Sequence, residues 1–154
     1  MQSNFRFANL QNEADVHALT TLANSKRSRG AYNRGAEEWT PVLNGDKLGY
    51  VLAYLSHVVE PIAFAVVSQT DSLTCYKIDF TFAWGDTAEV TEVGADFLDW
   101  FRLVYPWCRD LVGYIPADNR AALMFALRMG FAKVGVLPLY PGNIVITHRR
   151  FENV

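Results

Sequence analysis

The chain opens on an alternating pattern and soon turns to a period of three and four. "NFRFANL" (4–10) alternates apolar with polar side chains, which predicts a short first strand. Asn12 is a good N-cap, and Val16, Leu19, Leu22 and Ala23 then recur at helical spacing, predicting a helix that ends near Asn24. "DKLGYVLAYLSH" (46–57) fits two periods. Leu48, Val51, Leu52 and Leu55 make a helical stripe, whereas Leu48, Tyr50, Leu52 and Tyr54 alternate; the stripe tips the expectation towards helix. "PIAFAVVSQ" (61–69), the turn-prone "TDS" and "LTCYKIDFTFAW" (73–84) are rich in β-branched and aromatic residues and predict an antiparallel hairpin.

The strongest helical signal follows at 86–104. Val90, Val93, Phe97, Phe101 and Val104 fall on one face, Asp86 is placed to cap, Glu89 is its capping-box partner, and Pro106 marks the end. "DLVGYIP" (110–116) predicts a short strand. "ADNRAALMFALRMGF" (117–131) predicts a helix capped by Asp118 or Asn119 and closed by Gly130 in a left-handed conformation. Ala121, Ala122 and Ala126 would let that helix lie close to a sheet, and Phe131 would turn back into the core. "AKVGVLPLY" (132–140) and "NIVITHRRF" (143–151) predict a last strand pair about the turn-prone "PGN". The order reads β-α-(α)-β-β-β-α-β-α-β-β, an α+β fold with a mixed, mostly antiparallel sheet flanked by helices.

Composition narrows the function classes. A chain of 154 residues fits one domain, 1–154, with 51% hydrophobic and 19% charged residues, which argues against disorder. A net charge of −2 gives no reason to expect nucleic acid as a partner. Aromatics at 14% fit either core or a protein contact surface, so protein partners or a second copy are expected. The most apolar window, 51–67, is broken by His57, Glu60 and Pro61 and predicts no membrane span. The first residues carry no long apolar run of the signal-peptide kind, which points to a cytoplasmic location. Cys75 and Cys108 share no close spacing, and His17, His57 and His148 are scattered, so neither a metal site nor a disulfide framework is expected. Lys26, Arg27, Arg29 and Arg34 gather in "SKRSRGAYNRGAEEWTP" (25–41), either as a solvated loop or as a contact surface. There is no Ser–His–Asp arrangement, no P-loop and no nucleotide-fold glycine fingerprint.

The element order together with segment 117–131 resembles the GNAT superfamily of N-acetyltransferases. In that family a late helix carries Asn, then Ala three residues on, then Gly-Phe after eleven and twelve; Asn119, Ala122, Gly130 and Phe131 meet those offsets. The resemblance covers most of the chain by element order and rests on few specific residues. It implies acetyl-CoA as the cofactor of an active member. It further implies cofactor contacts from Gly85, Asp86 and Thr87 at the head of the long helix, and from Asn119 and Ala122 on the late one. It also implies Asp79 as a candidate base, although a carboxylate there also reads as a solvent-facing residue at a strand edge.

Two departures bear on activity. The family's tyrosine seven residues after the asparagine, placed to protonate the coenzyme A thiolate, is Ala126 here. Phe125 is adjacent but lies about 100° around the helix and has no hydroxyl, so Tyr140, or else Tyr114, becomes the candidate acid. The family's pyrophosphate loop, Arg/Gln-x-x-Gly-x-Gly/Ala, corresponds to "AWGDTAEVTEVG" (83–94), where Gly85 is followed by Asp86, Glu89 and Glu92. Acidic groups there suit the helix dipole and oppose a pyrophosphate. The favoured expectation is therefore a GNAT-fold protein with a degenerate acetyl-CoA site and no cofactor, acting as a binding or structural component. The resemblance extends to degenerate members of tailed-phage genomes, some of them virion or head-assembly proteins, which would place the chain in a virion. The alternatives are an active acetyl-CoA-dependent N-acetyltransferase on an unknown amine and a small-molecule-binding domain.

Overall fold

The computed structural model describes residues 3–25, 39–83, 85–138 and 142–152. Its elements run β1 (Ser3–Phe7), α1 (Glu13–Ala23), β2 (Lys47–Leu55), β3 (Ala63–Gln69), β4 (Cys75–Phe82), α2 (Thr87–Val104), β5 (Asp110–Pro116), α3 (Arg120–Arg128), β6 (Ala132–Pro138) and β7 (Asn143–Arg150). The strands form one sheet in the order β1-β2-β3-β4-β5-β7-β6. Every pairing recorded is antiparallel except β4–β5, so the fold is α+β with a mixed, mostly antiparallel sheet. The basic residues Lys26, Arg27, Arg29 and Arg34 lie outside the described residues. No helix among the described residues is long and apolar enough to cross a membrane.

Segment 46–57 holds strand β2 (Lys47–Leu55), not the expected helix. β2 sits between β1 and β3 and is covered on both faces, so Gly49 to Ala53 are all buried. Tyr50 and Leu52 meet Leu19 and Leu22 of α1, while Val51 joins Phe97 of α2 in the core on the other side. A strand covered on both faces needs apolar residues at successive positions, and such a run carries a helical stripe by accident.

The helices form where caps and stripes coincide. Asn12 accepts hydrogen bonds from Ala14 N (2.8 Å) and Asp15 N (3.2 Å) at the head of α1. On α2, Val90, Val93, Phe97 and Phe101 are buried as the stripe requires. Val104 is not; it lies at 36% exposure, and Tyr105 stacks on Phe101 at 4.7 Å in its place. Two glycines set how α3 meets its neighbours. A Cβ at Gly94 of α2 would stand 2.8 Å from Phe125 and against the Met129 sulfur, so only glycine allows this approach. Gly130 has φ +84° and ends α3, and a Cβ there would meet Arg149 Nη1 at 2.6 Å.

Candidate active site

The two central strands part. β4 and β5 pair only at Cys75–Asp110, Tyr76–Leu111 and Lys77–Val112. Beyond those pairs β4 stays bonded to β3 as far as Phe82, and β5 stays bonded to β7 as far as Pro116. Each strand therefore turns an edge without strand pairing, 78–82 on one side and 113–116 on the other, towards the gap. A cleft of about 350 Å³ fills the gap. It reaches Gly94, Phe97 and Leu98 of α2 on one face of the sheet and Trp39 and Tyr50 on the other. Thr147 is fully buried at the base, where its hydroxyl donates to Gly113 O at 2.9 Å.

β4 supplies the charge. Its odd positions Lys77, Asp79 and Thr81 share the α1 face, while Ile78 and Phe80 pack with the core under α2. Asp79 lies in the cleft wall, 3.6 Å from Lys77 Nζ, with 36% of its side chain exposed. Burial pushes the Asp79 carboxyl above the usual carboxylate range, while Lys77 and Lys47 pull it partly back. Asp79 is thus a partly exposed cleft residue on a central strand. Across the split, the Tyr114 ring of β5 receives Lys77 Nζ at 5.1 Å from its centroid. Tyr114 is part of the cleft wall, and so is Lys47.

The α3 side is mostly apolar. Asn119 caps α3 by accepting from Ala122 N at 3.1 Å, and Asn119, Ala122, Phe125 and Ala126 all line the cleft. Phe125 packs edge-on to Phe80 (5.7 Å) and Phe82 (5.3 Å), so it fills space beside the split in spite of its place one residue from Ala126. At the head of α2, Glu89 N donates to Asp86 Oδ1 (2.9 Å) and Asp86 N donates to Glu89 Oε1 (3.0 Å). This capping box already satisfies two of the amides that would otherwise face an anion.

The fold matches that of solved acetyltransferases. An aminoglycoside acetyltransferase in complex with coenzyme A and kanamycin superposes with a TM-score of 0.75 at 18% identity, covering 96% of this chain and 94% of that one. A GNAT-family acetyltransferase from Bacillus anthracis gives 0.73 at 10% identity, covering 97% and 95%. A spermidine N-acetyltransferase from Vibrio cholerae gives 0.70 at 10% identity, covering 97% and 94%. The chain has the GNAT acetyltransferase fold. No family profile matches it, and no curated protein matches it in sequence.

On that fold, the residues singled out from sequence divide into three groups. Asp79, Asn119 and Ala122 meet in the cleft. Gly85, with φ +118°, and Asp86 and Thr87 stand at the head of α2 and outside the cleft wall. Tyr140 lies outside the described residues. Sequence reasoning assigned no role to Lys47 or Lys77. The signal for Lys77 was present, because Lys77, Asp79 and Thr81 alternate with Ile78, Phe80 and Phe82 in a strand that must be central. Polar residues at alternate positions of a central strand mark a cleft, since a packed sheet face would bury them without partners.

Proposed function

We propose that the protein transfers an acyl group from a coenzyme A thioester to an amine, with Asp79 taking the amine proton. One observation carries the reading: a carboxylate with a raised pKa lies in the wall of a cleft that opens where two central strands part. A bound thioester would bring an activated acyl carbon. The facing edges 78–82 and 113–116 offer backbone N–H and C=O groups to the amides of an extended pantetheine arm, in the manner of an added strand. Solved neighbours of the same fold bind coenzyme A, which supports the choice of thioester.

Asp79 is ionised above its raised pKa and then accepts the proton of the attacking nitrogen. Ala126 has no proton to give, so the Tyr114 hydroxyl on β5 is the group available to protonate the departing thiolate. The head of α2 contributes little grip, because Asp86 and Glu89 oppose a pyrophosphate. Modest cofactor affinity is the consequence.

Calorimetric titration with acetyl-CoA, followed by thiol release on adding amines, tests the proposal. Binding in the split with release of thiol is expected, and Asp79→Asn should retain the binding while losing turnover. Cys108 will not confuse the thiol readout, since burial pushes its thiol up to about 12. Absence of acetyl-CoA binding would sink the reading. It would favour the second one, a binding or structural component without acyl transfer, for which Ala126 and the closed capping box speak.

A further inference from the structure

We propose that the amine taken by this cleft also carries an anionic group, and that Lys47 receives that anion. The inference rests on the acyl-transfer reading of the same cleft.

Lys47 and Tyr50 are three residues apart, so in a regular strand they would face opposite sides of the sheet. β2 is not regular there. Lys47 pairs with Ser68 and Tyr50 pairs with Val66, with a register shift between Lys47 and Gly49. Ser68 and Val66 lie opposite Lys77 and Asp79 in turn, so the bulge turns Lys47 onto the face that bears Asp79. Lys47 is half-buried, stands in the cleft wall, and has no carboxylate partner among the described residues. Its charge is felt at Asp79, whose carboxyl it draws towards the ionised form. Lys77 is engaged already, with Asp79 on one side and the Tyr114 ring on the other.

This face of the cleft thus sets two ammonium groups against one carboxylate. A ligand ammonium directed to Asp79 leaves Lys47 unmatched, and an anion on the same ligand matches it. A polycation would instead bring a second ammonium towards two lysines. Carboxylates and phosphates share the required chemistry, so amino acids and phosphorylated amines are the two sources to separate.

Matched amines decide between them. L-phenylalanine against phenylethylamine isolates a carboxylate, O-phosphoethanolamine against ethanolamine isolates a phosphate, and spermidine represents a polycation. Binding to the full chain is measured by calorimetry without thioester, and initial rates are measured with acetyl-CoA. The anionic member of at least one pair should bind about tenfold more tightly than its neutral-tailed partner. Lys47→Gln should erase that preference, and Lys47→Arg should keep it, with thermal melts confirming that both variants fold. Equal affinity within both pairs, a preference for spermidine, or a preference that survives Lys47→Gln would overturn the proposal. The two readings fail separately. Anion preference in binding without thiol release removes acyl transfer, whereas thiol release with ethanolamine or spermidine alone removes anion recognition.

Discussion

In its proposed role Asp79 joins proton transfer to a cost in stability. Desolvation raises its pKa, with Lys77 and Lys47 opposing, so the ionised form is disfavoured in the fold. If Asp79 is the base of the proposed reaction it works deprotonated, and turnover should rise with pH through the raised pKa and level off above it. Asp79→Asn should lower kcat by about 10²–10⁴-fold and abolish that rise, measured as a pH–rate profile. The sign for stability is opposite. Above the raised pKa the fold bears the disfavoured charge, so Asp79→Asn should melt no lower than the parent at pH 8. A large loss of Tm would mean that the Lys77 pair outweighs desolvation. Which residues would matter was legible only in part. The β4 alternation was in the sequence, but the aim of Lys47 depends on a bulge that no local pattern announces. Tyr114 and Tyr140 were both candidate acids in the sequence, and only the strand positions set Tyr114 in the cleft wall beside Lys77.

Element by element, the legible parts were those with a cap and one buried face. α2 shows both, and α3 was readable from Asn119 and Gly130. β2 was misread because burial on two faces erases the period that separates strand from helix. Close approach was not legible either: nothing in "VTEVGADF" says that Gly94 lies under Phe125 and Met129. Gly94→Ala should destabilise by roughly 1–3 kcal/mol by forcing α2 and α3 apart, read as a lower denaturant midpoint. Phe97→Ala, which removes a buried ring in contact with Phe5 and Phe80, should cost about 3–5 kcal/mol. The capping box at the head of α2 links the same element to cofactor affinity. Glu89→Gln keeps an acceptor for Asp86 N and removes a charge, so coenzyme A should bind roughly two- to fivefold more tightly, as expected for a charge at a helix end. Unchanged affinity in calorimetry would show that this helix end does not meet the cofactor phosphates.

For the molecule as a whole, a sheet that splits at its centre must be held together on either side of the split. Two carboxylates, the buried Asp15 and the half-buried Asp110, tie elements there. On the β1 side, Arg6 grips Asp15 of α1 with hydrogen bonds of 2.8 and 2.6 Å, and Asn9 N adds another at 2.8 Å. The Arg6 hydrogen bonds hold the Asp15 carboxyl down at about 2 against the upward pull of burial. On the β5 side, Asp110 accepts from Arg150 at 3.0 Å and meets His148 Nε2 at 2.7 Å, binding β5 to β7, and its pKa is lowered, first by Arg150. Both groups stay ionised in the fold at pH values where the unfolded chain has taken up protons. Their stabilisation is therefore complete above the unfolded carboxylate value of about 4 and is lost as pH falls through each lowered folded-state value, about 2 for Asp15. Asp15 accounts for roughly 2 kcal/mol of this, given the size of its shift. Asp15→Asn should remove most of the Tm difference between pH 7 and pH 3 that this side contributes. It should leave acetyl-CoA affinity at pH 7 unchanged, because no described residue of β1 or α1 lines the cleft. If the variant melts as the parent does at pH 7 and still loses stability in acid to the same extent, the Arg6–Asp15 pair is not what holds that side of the sheet.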